Sequence, residues 1–142
     1  YNSVKNIYFE SDIRIENGKY IHLFPKDNII NNVAVLNQVS QSYSKSKSLL
    51  SISVIGQGLK DSIDINRLRK RLANYFGGND SNYEWVKSFE IKNATIKQNS
   101  NYFDSNMYSP SNGFIIAGDH STYGSIEGAV LSGINASKKI LN

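Results

Sequence analysis

Cysteine is absent from the 142 residues, so no disulfide staples the chain, no thiolate does chemistry, and cysteine-built zinc sites are excluded. Histidine is nearly as scarce. His22 and His120 stand far apart, without metal-ligand spacing, and no metal is expected. Proline occurs twice, and Asn, Ser, Lys and Ile fill much of the chain, which reads as compositional drift in the source rather than as function. No apolar run approaches the roughly 20 residues of a membrane-spanning helix, and no basic-then-apolar signal opens the sequence. The expected location is therefore cytoplasmic, with membrane contact not indicated. Neither sign of charge dominates: 16 Lys and Arg face 12 Asp and Glu, a net of +4. That excess argues for nucleic acid only when clustered with aromatic platforms, and nucleic acid is not expected as a partner. The chain starts at Tyr1, not Met, and is expected to be processed, engineered or cut from something longer.

Nine Tyr, six Phe and regular apolar runs argue for a folded core rather than disorder. Residues 4–9 read as a strand with Ile7 and Phe9 on one face. Residues 16–19 are a turn signal, and the flanking Ile13, Ile15, Tyr20, Ile21 and Leu23 suggest a hairpin. Residues 33–39 form a β-like run, and 40–48 a Ser- and Lys-rich loop. Residues 49–55 are the clearest strand, with serines alternating against apolars. Gly56-Gln57-Gly58 has no third glycine and no immediate helix, and reads as a turn.

Asp64 is placed to cap a helix whose Ile65, Leu68, Leu72 and Tyr75 or Phe76 follow helical spacing, with Gly77-Gly78 as the stop. Arg67, Arg69, Lys70 and Arg71 fall mostly on its other faces. A strand over 83–91 is centred on Trp85, Val86 and Phe89. Tyr102, Phe103, Met107 and Tyr108 scatter through a polar stretch, either as loop packing or as part of an apolar substrate channel.

The end of the chain carries the chemistry. An apolar strand over 114–117 leads to Gly118-Asp119, a polar loop follows, and a helix from about Ser125 to Leu141 opens on Gly124-Ser125. Small residues recur in it at Gly128, Ala129, Ser132, Gly133 and Ala136. Free N–H groups and the dipole at a helix start favour phosphate or an electron-rich ring. Asp119, at a strand's carboxyl end, suits ribose or ribityl hydroxyls. Ser125 lacks the spacing of a hydrolase nucleophile elbow and reads as a cap, with Glu127 in the first turn.

From Gly113 to Leu141 this segment resembles the C-terminal flavin-contacting motif of the flavin amine oxidase and phytoene desaturase group: a hydrophobic strand, Gly-Asp, a spacer, and a Gly-Ser-Ile-Glu-Gly-Ala…Ser-Gly helix. The order of the preceding elements is similar to that group's C-terminal third. The resemblance implies FAD, with cofactor-binding positions at Gly118, Asp119, His120, Ser125, Ile126, Glu127 and Ala129. It implies no catalytic acid, base or nucleophile in this chain. It also implies an α+β fold with an antiparallel or mixed sheet and one amphipathic helix. Residues 1–95 would belong to a substrate domain. Residues 96–142 would supply a connection and the last strand and helix of the FAD domain.

Two departures stand out. Residues 93–98 lack the proline that family members often carry there, so substrate-pocket residues do not transfer. The G-x-G-x-x-G half of the cofactor site is also missing. The expected partners are therefore FAD, an apolar small-molecule substrate and the rest of a parent polypeptide, with the isolated chain inactive. The alternative is a non-catalytic α+β interaction domain presenting the basic helix as its contact surface.

Overall fold

The computed structural model describes residues 1–16, 18–55, 63–98 and 114–141. The chain divides into two compact units, Asn2–Ala94 and Thr95–Asn142, with Tyr1 grouped in the second.

The first unit is a five-stranded sheet with a helix on its buried face. The strands are β1 (Asn2–Ser11), β2 (Ile21–Leu23), β3 (Ile30–Val35), β4 (Ser48–Val54) and β5 (Tyr83–Thr95), in the order β2-β3-β4-β1-β5. The β2/β3, β3/β4 and β4/β1 pairs are antiparallel, with a register irregularity between Ile30 and Asn32. A single helical turn, α1 (Leu36–Val39), closes β3.

Alternation decides the faces. In β4, Leu50, Ile52 and Val54 point inward opposite Phe9, Ile7 and Lys5 of β1, while Ser51 and Ser53 point away. Ile7, Phe9, Ile30, Val33, Val35, Leu50, Ile52 and Val54 are sealed from solvent together with Leu68 and Leu72 of α2 (Ile65–Phe76). On the opposite face Ser51 donates to Asn6 Oδ1 (3.1 Å), Asn6 donates to the Tyr8 hydroxyl (3.0 Å), and Phe89 meets Tyr8 edge-on.

Helix α2 forms where the spacing predicts. The Asp64 carboxylate accepts from the Asn66 N–H at 2.9 Å, and Gly77 ends the helix at φ +91°. Of the two aromatic alternatives, Phe76 packs on the core, whereas Tyr75 turns outward and stacks on Phe24. His22 packs edge-on against Phe76, a structural role.

The expected hairpin around residues 16–19 does not form. β2 pairs with β3, and β1 lies two strands further on. Ile13 and Ile15 lie outside the ladders, although the turn chemistry at Gly18 (φ +79°) is present. Ile15 is instead pinned, its N–H to Ser48 Oγ and its carbonyl to Gln38. The run expected over 33–39 as one strand begins at Ile30 and turns helical at Leu36. β5 extends to Thr95, past the expected end. The Gly56–Gly58 turn and the aromatics at 102–108 lie outside the described residues.

In the second unit, residues 114–117 join no ladder among the described residues, and Phe114, Ile115 and Ile116 are exposed. A 3-10 turn (Asp119–Ser121) follows, then α3 (Ile126–Leu141). Within α3 the buried positions are Gly128, Ser132 and Ala136, one small residue per turn. Ile126, Val130, Ile134 and Ile140 are exposed.

Candidate functional site

The site is built by clamping a loop onto α3. Gly118 adopts φ +155°, a backbone state that side-chain-bearing residues rarely reach. Its N–H donates to the Ser132 hydroxyl at 2.8 Å, in the second turn of α3. One residue beyond the 3-10 turn, the Thr122 hydroxyl donates to the Gly128 carbonyl at 2.6 Å. These two bonds hold both ends of the loop against one helix face.

The contact is too close for any side chain at residue 128. A Cβ there would sit 1.9 Å from the Tyr123 carbonyl oxygen and 2.9 Å from Thr122 Oγ1. Gly128 is therefore required by loop packing. Gly133 meets open space, and Ala129 is exposed. The small residues predicted from sequence thus divide: 128 and 132 receive the loop and 136 is buried, whereas 129 and 133 are exposed.

The start of α3 is half capped. Ser125 Oγ accepts from the Gly128 N–H at 2.9 Å, and the Ser125 carbonyl accepts from Ala129 at 3.0 Å. The Ser125 N–H itself turns to the Tyr123 carbonyl at 2.7 Å. Among the described residues, no acceptor engages the N–H of Ile126 or of Glu127. Two donors at the positive end of a 16-residue helix are therefore available to an acceptor.

The loop and the first turn carry polar side chains. Asp119 and His120 are each a little under half exposed, with carboxylate and imidazole 4.0 Å apart. Glu127 accepts a hydrogen bond from the Tyr123 phenol. Partial burial, reinforced by the Glu127 charge, pushes that phenol above its ordinary value. The Ile126 side chain stands in solvent.

Sequence reasoning placed Gly118, Asp119, His120, Ser125, Ile126 and Glu127 together on one loop and one helix start, and the fold does so. It did not see that Ser132 anchors Gly118 or that Thr122 anchors Gly128. The signal for the first was a serine in phase with Gly128 and Ala136 on the same helix face.

The basic helix that served the alternative reading is partly engaged within the fold. Arg71 pairs with Asp27 and donates to Asn28 Oδ1 (2.9 Å), and Arg69 reaches Asn66. Arg67 and Lys70 stay exposed. Among the described residues no cluster could hold a metal, and no helix is long and apolar enough to cross a membrane.

The comparisons with known proteins agree with the fold. An oxidoreductase from Methanosarcina mazei superposes with a TM-score of 0.65 over 96% of this chain, at 16% identity. The chain spans about a third (34%) of that protein's length. No curated protein matches. A sequence description of the flavin-containing amine oxidoreductases matches residues 1–141, essentially end to end. The chain belongs to the flavin-containing amine oxidoreductase family.

Proposed function

We infer that this chain is the C-terminal portion of an FAD-dependent oxidoreductase, and that the loop at 118–123 with the start of α3 holds the flavin. The observation that carries this is the pair of N–H groups on Ile126 and Glu127 that no acceptor among the described residues engages, presented by a helix whose loop is locked by Ser132 and Thr122. Such donors suit the electron-rich carbonyl edge of the isoalloxazine ring. The Asp119 carboxylate, partly exposed beside Gly118, accepts hydroxyl groups of the ribityl chain. His120 stands on the phosphate side. When bound, flavin supplies the redox chemistry, taking a hydride from a C–N or C–C bond of the substrate. The residues of this chain bind and orient, and no acid, base or nucleophile is assigned among them.

The division of the chain supports the same reading. The sheet unit ends at Ala94, which fits a substrate-domain role for 1–95 and a flavin-side role for 96–142. Substrates of the amine oxidase and phytoene desaturase type are the class proposed, with an apolar body.

The test is Asp119→Ala in the full-length protein. Flavin content per protein, read by visible absorbance after desalting, is expected to fall severalfold while the fold is retained by circular dichroism. Unchanged flavin content would remove Asp119 from the site.

A further inference from the structure

We propose that the free edge of β5 pairs with the same edge of a second copy of this chain, about a two-fold axis at Ile91. β5 forms one end of the sheet and runs for 13 residues, and β1 is its only neighbour among the described residues. Its other edge therefore presents a row of unpaired backbone donors and acceptors, a template for a further strand. The side chains do not close it off. β5 contains no proline, and Tyr83 is its only buried residue. Trp85, Val86, Phe89 and Ile91 are each 44–46% exposed.

The backbone restricts which residues can lie on the axis. Ser3 Oγ donates to the Lys92 carbonyl at 2.6 Å, so the main-chain groups of Lys92 turn toward β1. Alternation along the strand turns those of Ile91 the other way, to the free edge. An antiparallel pair centred on Ile91 is thus a hydrogen-bonded one, with N–H donating to C=O in both directions.

The charges choose this register over its neighbours. Around Ile91 the sequence reads Ser88-Phe89-Glu90-Ile91-Lys92-Asn93-Ala94. A two-fold axis at Ile91 sets Glu90 of each copy against Lys92 of the other, and Ile91 against Ile91. Such cross-strand pairs stabilise an antiparallel ladder, and like charges directly opposite destabilise it. An axis at Glu90 or Lys92 would oppose like charges. An axis at Phe89 or Asn93 would give neither Glu90 nor Lys92 an opposite charge. Within the chain, Glu90 and Lys92 make no ion pair among the described residues. The two-fold pairing also closes on itself, joining two five-stranded sheets into one without starting a fibre.

Sedimentation equilibrium on the full chain tests this. A dimer with a micromolar Kd is expected at low salt. E90K and K92E each turn two attractions per dimer into two repulsions, and each alone should weaken dimerisation at least about tenfold. The double variant E90K/K92E should dimerise as the wild type does. An equimolar mixture of E90K with K92E should form a heterodimer, because all four opposed charges then match. I91P removes the N–H at the axis without changing charge, and should abolish the dimer while the edge strand tolerates it. The proposal is overturned by a monomer at concentrations up to about 0.5 mM, by a dimer that survives E90K, K92E or I91P, or by failure of either charge rescue. A dimer of this chain that the full-length protein does not form would also overturn it, because the edge would then pair within one polypeptide.

Discussion

Asp27 shows how one residue ties the turn before β3 to α2. Its side chain is fully buried. It accepts from the Tyr75 hydroxyl at 2.6 Å and from the N–H groups of Ile29 and Ile30, and it pairs with Arg71. Burial alone would raise the carboxyl pKa. Tyr75, Ile29, Arg71 and Ile30 together outweigh burial and hold it below its ordinary value. A folded-state pKa below the unfolded one means the stabilisation is complete above the unfolded value. It is lost as pH falls through the folded one. Wild-type stability should therefore decline below about pH 4 more steeply than that of Asp27→Asn, measured by urea denaturation across pH. At neutral pH, Asp27→Ala should cost roughly 2–4 kcal/mol, because it strands Arg71 and two backbone donors. Gly128→Val is the other decisive residue. Its Cβ cannot coexist with the Tyr123 carbonyl, so the loop must lift, at a cost of about 1–3 kcal/mol and with loss of flavin retention in the full-length protein.

Helix α2 has readable ends. Asp64→Ala should destabilise by about 1 kcal/mol through loss of the cap to Asn66. Gly77→Ala should cost about 1–2 kcal/mol although nothing lies near its Cβ, because the penalty is in the backbone at φ +91°. Thermal or chemical denaturation of each variant checks both. These features were legible in the sequence because caps, stops and i, i+4 spacing are local. So was the inward face of β4, where serine alternates with large apolars. The partner of β2 was not legible. Turn chemistry at Gly18 announces a change of direction, but which strand receives β2 is settled by long-range burial. Residues 114–117 read as a strand from their apolar content, yet a strand needs a neighbour, and none lies among the described residues. At the candidate site the loop and the helix start were legible as a motif. The Ser132 and Thr122 anchors were not, because a hydroxyl's partner is a property of three-dimensional approach.

Across the whole molecule, buried mass is distributed unevenly. Among the described residues, the large sealed side chains belong to Asn2–Ala94, whereas the buried residues of 114–141 are Ser121, Gly128, Ser132 and Ala136. Small residues contribute little hydrophobic stabilisation. Hydrogen exchange should find the amides of β1, β3 and β4 the slowest in the chain and those of α3 much faster. In the full-length protein with flavin, α3 protection should rise by at least about tenfold, since the exposed apolar side chains of Ile126, Val130, Leu131 and Ile134 call for cover. Equal protection of α3 in both contexts would argue that it needs nothing beyond this chain.

The alternation in β4 also governs how the chain avoids folding wrongly. With Ser48, Leu50, Ile52 and Val54 inward and Leu49, Ser51 and Ser53 outward, the strand has one admissible alignment with both neighbours. A slip of one residue would expose three large side chains and press two hydroxyls into an apolar layer. At roughly 1.5–3 kcal/mol for each displaced aliphatic, misaligned ladders are disfavoured by several powers of ten. The central strand thus fixes the register of both its neighbours, and through them the alignment of the sheet.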